Sequence, residues 1–166
     1  FQPDELEREI PFLQGSVRLQ SSPNTLVSIV ERPEGGTKVS FFGGLPLRRV
    51  GDPEPAAING LPIASLLDLS ATKVKVVQDR AEAKDYVDIF HILEEGTDLP
   101  IALAAARAVY GAVFNPLLSL KALSYFGDGD LGTLPERVRA RLAAAVSSVD
   151  PARLPEVAAL SGGLLP

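Results

Sequence analysis

Between Lys73 and His91 the chain places Lys73, Arg80, Lys84, Asp85, Asp88 and its single histidine within about five helical turns. Lysine and arginine so grouped can hold phosphate oxygens, and neighbouring aspartates can orient them. On one continuous helix, at about 100° per residue, Lys73, Arg80, Lys84 and His91 share a narrow arc with Asp88 close by, and Asp85 points away. With a bend near Asp79–Ala81 the second half stands alone, and Lys84 and Asp88 form an i,i+4 pair. Two readings follow. In one, the stretch is a solvated helix surface whose Lys84–Asp88 pair contributes about 0.3–0.5 kcal/mol. In the other, it is an anion pocket in which Lys73, Arg80 and Lys84 face phosphates.

Other chemistries find less support. His91 and Asp88 are three residues apart, and two ligands do not make a metal site, so no metal ligand is assigned. A lone histidine more commonly packs. "GDGD" (Gly127–Asp130) opens like a calcium loop but lacks the downstream glutamate, and is read as a turn. The glycine pairs Gly35–Gly36 and Gly43–Gly44 are read as turns. No GxGxxG or Walker-type motif leads into a helix, and no Gly-x-Ser-x-Gly occurs. The chain has no cysteine, which removes disulfides, thiol nucleophiles and cysteine-based zinc sites.

With 166 residues, 46% hydrophobic and 22% charged, the chain suits one globular domain or a small subdomain joined to a helical one. A net charge of −5 argues against a broad nucleic-acid surface, and DNA groove binding is not expected. The apolar run "IALAAARAVYGAVF" is interrupted by Arg107 and is shorter than the roughly 20 residues of a bilayer span, so no membrane partner is expected. The acidic start "FQPDELEREI" is unlike a signal peptide, and a cytoplasmic location is expected. The sequence contains no methionine and begins at Phe1, which predicts a piece of a longer protein.

The elements that must position these residues can be read in order. "PDELEREIPFL" predicts a helix over Pro3–Leu13 with Leu6, Ile10 and Leu13 on one side. "SVRLQ", "TLVSIVE" and "TKVSFFG" (Ser16–Gln20, Thr25–Glu31, Thr37–Gly43) predict an antiparallel meander, separated by the turn signals "SSPN" and "RPEGG". A Pro/Gly-rich connector with Arg48 and Arg49 follows, then a short strand over Leu61–Ser65. Helices are predicted from Ser65 onward. Ser65–Gln78 carries a core stripe of Leu66, Leu69, Val74 and Val77. The next helix ends at Gly96, and another runs from Asp98 to Gly111. A fourth starts with Asn115 and Pro116, a fifth covers "TLPERVRARLAAAVSSV", and a last one opens at Asp150 and Pro151. The fold class is α+β, with a small mixed or antiparallel sheet followed by a C-terminal helical bundle. The boundaries are residues 1–63 for the sheet region and 64–166 for the helical region carrying the Lys/Arg/Asp motif.

"DLSATKVKVVQDRAEAKDYVDIFHIL" resembles a motif of the AbiEii/AbiGii-type nucleotidyltransferases, toxins of type IV toxin–antitoxin and abortive-infection systems. That motif has a lysine, an arginine seven residues on, then a basic residue followed by Asp and another Asp three later. Lys73, Arg80, Lys84, Asp85 and Asp88 match it. "TKVSFFGGLP" and "ALSYFGDGD" resemble two further stretches, and together the likeness covers about Thr25 to Ala145. The resemblance implies an incomplete polymerase-β-like nucleotidyltransferase core. It implies Mg2+-dependent transfer of a nucleotide from an NTP to an acceptor, RNA or protein, and a cognate antitoxin partner. Lys73, Arg80 and Lys84 are then nucleotide-binding, and Asp85 and Asp88 catalytic, positioning the nucleotide or the acceptor. The metal-binding Asp-x-Asp strand of that superfamily is not found here and is expected ahead of Phe1. Ser40 stands where a third carboxylate is common. A non-catalytic, degenerate module of the same fold, binding a partner, is the alternative.

Overall fold

The structure is a computed structural model and describes residues 1–160. The chain divides into two compact units, residues 1–46 and the part from Leu47 onward.

The first unit is an antiparallel three-stranded sheet with a helix on one face. Strands β1 (Val17–Ser22), β2 (Thr25–Val30) and β3 (Thr37–Phe42) lie in the order β1-β2-β3. Ser22 pairs with Thr25, so Pro23 and Asn24 make the whole turn between β1 and β2. Proline fixes φ at the first turn position, and Asn24 takes the left-handed φ of 62° at the second. Helix α1 (Pro3–Glu9) is shorter than its apolar pattern predicts. Ile10 is extended because it precedes Pro11, whose ring disfavours helical backbone in the residue before it. A 3-10 turn over Pro11–Leu13 then resumes the coil. The predicted stripe survives the break: Leu6, Ile10 and Leu13 pack with Leu26, Val30, Val39 and Phe41.

The second unit is helical, with one two-stranded ribbon, β4 (Glu54–Pro55) and β5 (Pro62–Ile63), ahead of the helices. Helices α2 (Leu66–Val76), α3 (Ala83–Glu94), α4 (Leu99–Tyr110), α5 (Pro116–Ala122) and α6 (Glu136–Ser147) follow. The core gathers Tyr86, Ile89, Phe90 and Leu93 of α3, Leu103 and Val109 of α4, and Val138 and Leu142 of α6. Helix α4 is buried along Ala102–Ala106, and its small side chains let α2 approach closely. No helix among the described residues is long and apolar enough to cross a membrane.

Two expectations for this unit are corrected. The stripe on α2 is rotated: Val74 and Val77 are buried, but Leu66 and Leu69 are exposed, and Asp68, Ser70 and Ala71 face inward. The cause is Asp68. Its carboxylate accepts hydrogen bonds from the backbone N–H of Val50 (2.7 Å) and Gly51 (3.0 Å) and from the Ser65 hydroxyl (2.6 Å). Ser65 in turn accepts from the Asp68 N–H and caps the helix. Turning residue 68 inward carries 71 and 74 with it and sends 66 and 69 outward. The second correction is at the C-terminus. No helix forms after Asp150 in the described part, which is a turn over Pro151–Arg153 followed by extended chain. Asp150 accepts from the Ala152 N–H in an Asx turn, and Pro155 holds Leu154 out of the helical region. The extended run is anchored where the Leu160 N–H donates to the Arg49 carbonyl (2.8 Å). Ser161–Gly163, the rest of that expected helix, lie outside the described residues.

Asp68→Ala orphans two backbone donors and a hydroxyl in a largely buried place. A loss of about 2–3 kcal/mol is expected in urea unfolding. A change below about 0.5 kcal/mol would show that the Val50–Gly51 loop is held by something else.

Candidate functional site

The segment from Lys73 to His91 is two helices joined by a turn at Val77–Asp79, which bends the chain where the second geometry placed it. The bend reverses the expectation for Asp85 on a continuous helix. Asp85 sits in the first turn of α3, fully buried, and points at α2 instead of away from it. The Arg80 side chain, arriving from the turn, donates Nε to Oδ2 at 2.8 Å and Nη2 to Oδ1 at 3.3 Å. Lys73, from the last turns of α2, donates Nζ to Oδ1 at 3.0 Å. The lysine also pairs with Asp88, one turn further along α3. Four of the five predicted site residues are therefore drawn into one cluster.

Lys84 is the fifth, and it does not join. Its ammonium pairs with Glu82 at 2.6 Å and is otherwise in solvent. The expected Lys84–Asp88 ion pair is not formed, because Asp88 is claimed across the helix interface by Lys73. His91 lies on the exposed side of α3, edge-on to Phe90.

The pairing holds Asp85, Lys73 and Arg80 in their charged forms. Burial pushes the Asp85 carboxyl up, but the hydrogen bonds from Arg80 and Lys73 outweigh it and hold the group below the usual carboxylate range. Burial pushes Lys73 down, but Asp88 and Asp85 outweigh it and hold the ammonium above its usual value. The hydrogen bond to Asp85 raises Arg80. Burial, with the nearby charges of Asp128 and Asp85, raises Tyr86, so its phenol stays neutral and donates to the Ala122 carbonyl.

The two cations open onto different surfaces. Arg80 lines a cleft of about 330 Å³ with Gln78, Tyr86, Lys121, Tyr125 and Asp128. Lys73 and Asp88 line a second, more apolar groove of about 380 Å³ with the exposed Leu66 and Leu69, His91 and Ile92. The walls are held by residues that the sequence reading passed over. Ser119, fully buried, donates to the Val74 carbonyl and accepts from Gln78, which pins α5 to the end of α2. Asp130, in the loop read as a plain turn, accepts from the Ala83 N–H at 2.6 Å. A signal existed for Asp68, since Ser65-x-x-Asp68 is the spacing of a capping box. None existed for Asp130, whose partner is 47 residues away.

The donor set does not suit a divalent metal. No three His, Asp or Glu side chains are grouped for one among the described residues. Asp85 has both oxygens engaged by cations, and Asp88 gives one oxygen to Lys73. Its cations suit an anion better, although beyond Asp85 the Lys73 ammonium also pairs with Asp88 and Arg80 Nη1 lies 3.5 Å from Glu82.

A small antiparallel sheet, a helical unit and a lysine and arginine clamped on one carboxylate make an α+β chain. The family model described as "Nucleotidyl transferase AbiEii toxin, Type IV TA system" matches residues 17–160. The chain belongs to this AbiEii family of nucleotidyltransferase toxins of type IV toxin–antitoxin systems. No curated protein and no solved structure matches it.

Asp85→Asn leaves Lys73 with Asp88 and Arg80 with Glu82 but removes two charge-assisted partners from a buried acceptor, so a cost of about 1–3 kcal/mol is expected in chemical unfolding. Asp88, with its side chain 46% exposed, is expected to cost below about 1 kcal/mol as Asp88→Asn. The pH dependence follows from the signs. The Asp85 carboxyl is lower in the folded state, so its contribution is complete above the unfolded value of about 3.9 and fades as pH falls through the folded value. Lys73 is higher in the folded state, so its contribution is complete below about 10.4 and fades as pH rises through the folded value. Unfolding curves taken from pH 2 to 11 should show both limbs, and the acid limb should flatten in Asp85→Asn.

Proposed function

We propose that Lys73 and Arg80 bind the phosphates of an NTP during nucleotide transfer to an acceptor hydroxyl. The observation that carries this reading is the clamp itself. A buried carboxylate keeps both cations protonated and fixes Lys73 on α2 and Arg80 in the connector before α3, each lining an opening at the surface. Preorganised donors of this kind stabilise charge that grows on the leaving pyrophosphate, without reorganising at the moment of reaction. Asp85 is then a positioning residue that acts through the two cations. Asp88 is the solvent-reaching carboxylate of the cluster, and orients Lys73 or the acceptor. Lys84 adds positive potential at the rim. No magnesium ion is placed on these residues, because their donors do not fit one. The divalent ion that accompanies an NTP takes its carboxylates outside this cluster. The acceptor, RNA or protein, and the cognate antitoxin belong to the same proposal, as does a cytoplasmic location.

One observation favours a second reading. Lys73, Arg80, Asp85 and Asp88 sum to zero charge and pair with one another, with Glu82 beside Arg80, as a purely structural network would. In that case the chain is a non-catalytic binding module of the same fold.

The two readings separate in a transfer assay on the full-length gene product, using labelled NTPs with magnesium and total RNA or protein as acceptor. Lys73→Ala and Arg80→Ala should each lower kcat/KM on the order of 10²-fold or more. Wild-type transfer in both folded variants would sink the phosphate assignment. Absence of NTP binding by the wild-type protein in calorimetry would favour the binding module.

A further inference from the structure

We propose that the Gly129–Asp130 loop is a positioning clasp that sets Arg80 and Asp85 for phosphate binding, an inference that rests on the function proposed above. The loop lies far along the chain yet grips the linker between α2 and α3. Asp130 Oδ1 accepts from the Ala83 N–H, the first amide of α3, at 2.6 Å. The helix has no side-chain cap of its own, since Glu82 at the capping position makes no such bond. One residue earlier, Gly129 takes a left-handed φ of 54°, and a Cβ there would stand 2.1 Å from the Ala81 carbonyl oxygen. Only glycine lets the two backbones meet so closely. The grip is itself stiff. The Thr133 N–H and hydroxyl both donate to the Asp130 carbonyl, the Leu131 N–H donates to Asp128, and the Leu131 side chain is buried in the core.

What the clasp holds is short and consequential. The gripped residues, Ala81 and Ala83, lie within the span between Arg80 and Asp85. Arg80 is the residue before the grip, and Asp85 lies two residues after it. Without the clasp, the first turn of α3 keeps an unpaired donor and can fray. The Arg80–Asp85 geometry is then set only by the ion pair, not by the backbone beneath it. Displacements on the order of 1 Å in a positioning group can cost on the order of 10²-fold in rate. The same loop also brings Asp128 into the cleft beside Arg80.

The test uses Asp130→Ala and Asp130→Asn in the full-length protein. Asparagine retains the oxygen acceptor but not the charge. Two readouts are taken: hydrogen exchange across residues 80–85, and NTP transfer with KM and kcat separated. Asp130→Ala should speed exchange of the Ala83 amide and raise KM for the NTP about tenfold, with a smaller change in kcat. Asp130→Asn should restore both. Faster exchange or a lower melting temperature with unchanged KM would confine Asp130 to folding and overturn the proposal. Unchanged exchange would overturn it as well. Should Asp130→Ala not fold, Asp130→Ser keeps a shorter acceptor, and its KM decides in the same way. Lys73→Ala and Arg80→Ala run alongside separate the two ideas. If they abolish transfer and Asp130→Ala leaves KM intact, only the clasp fails. If they leave transfer intact, the phosphate reading fails.

Discussion

A charge with no water around it must be neutralised where it sits. Asp85 is such a charge, and much of the helical unit around it follows from that constraint. The ionised carboxylate is tolerable in the core only because Lys73 and Arg80 reach it from two directions. For them to do so, α2 must end close to Val76, the chain must turn sharply, and α3 must start with Asp85 in its first turn. The positive end of the α3 dipole then adds to the two cations. The bend, the crossing of the two helices and the placing of the cations are one solution to one electrostatic problem.

That problem also explains what could be read from the residues alone. The meander was legible because its strands are rich in β-branched and aromatic residues and its turns carry Pro23–Asn24 and Gly35–Gly36. The cluster was legible by residue type and by likeness to a known motif. Its geometry was not. A helix drawn at fixed angular spacing sends Asp85 to the far side, and only the bend, with partners on two elements, returns it to the centre. Lys84 shows the converse. Its spacing to Asp88 suits an ion pair, but Lys73 occupies that carboxylate from another helix. Local periodicity cannot foresee a competitor that arrives through the tertiary fold.

The same limit appears on α2 and at the C-terminus. A hydrophobic stripe predicts burial only if no polar group outbids it. Asp68 does so with three hydrogen-bond donors, two of them backbone amides of a preceding loop. Two leucines are left in solvent in exchange. After Asp150 the cap-and-proline signature of a helix start is present. The chain turns once and then runs extended, because Pro155 falls where the helix would need to continue. In both places short-range signals were present and were overruled by contacts more than a dozen residues away or by a second proline.

The burial of Asp85 bears on how this motif records ancestry. A lineage that lost the reaction would still need a cation on Asp85, because dropping both Lys73 and Arg80 leaves a stranded charge in the interior. Asp85 and at least one of its two cations are expected to outlive the activity that recruited them. Asp88, which reaches solvent and can be lost cheaply, carries no such protection. Among descendants of this fold, the exposed carboxylate is therefore the better witness to chemistry still in use, and the buried one is a witness to folding.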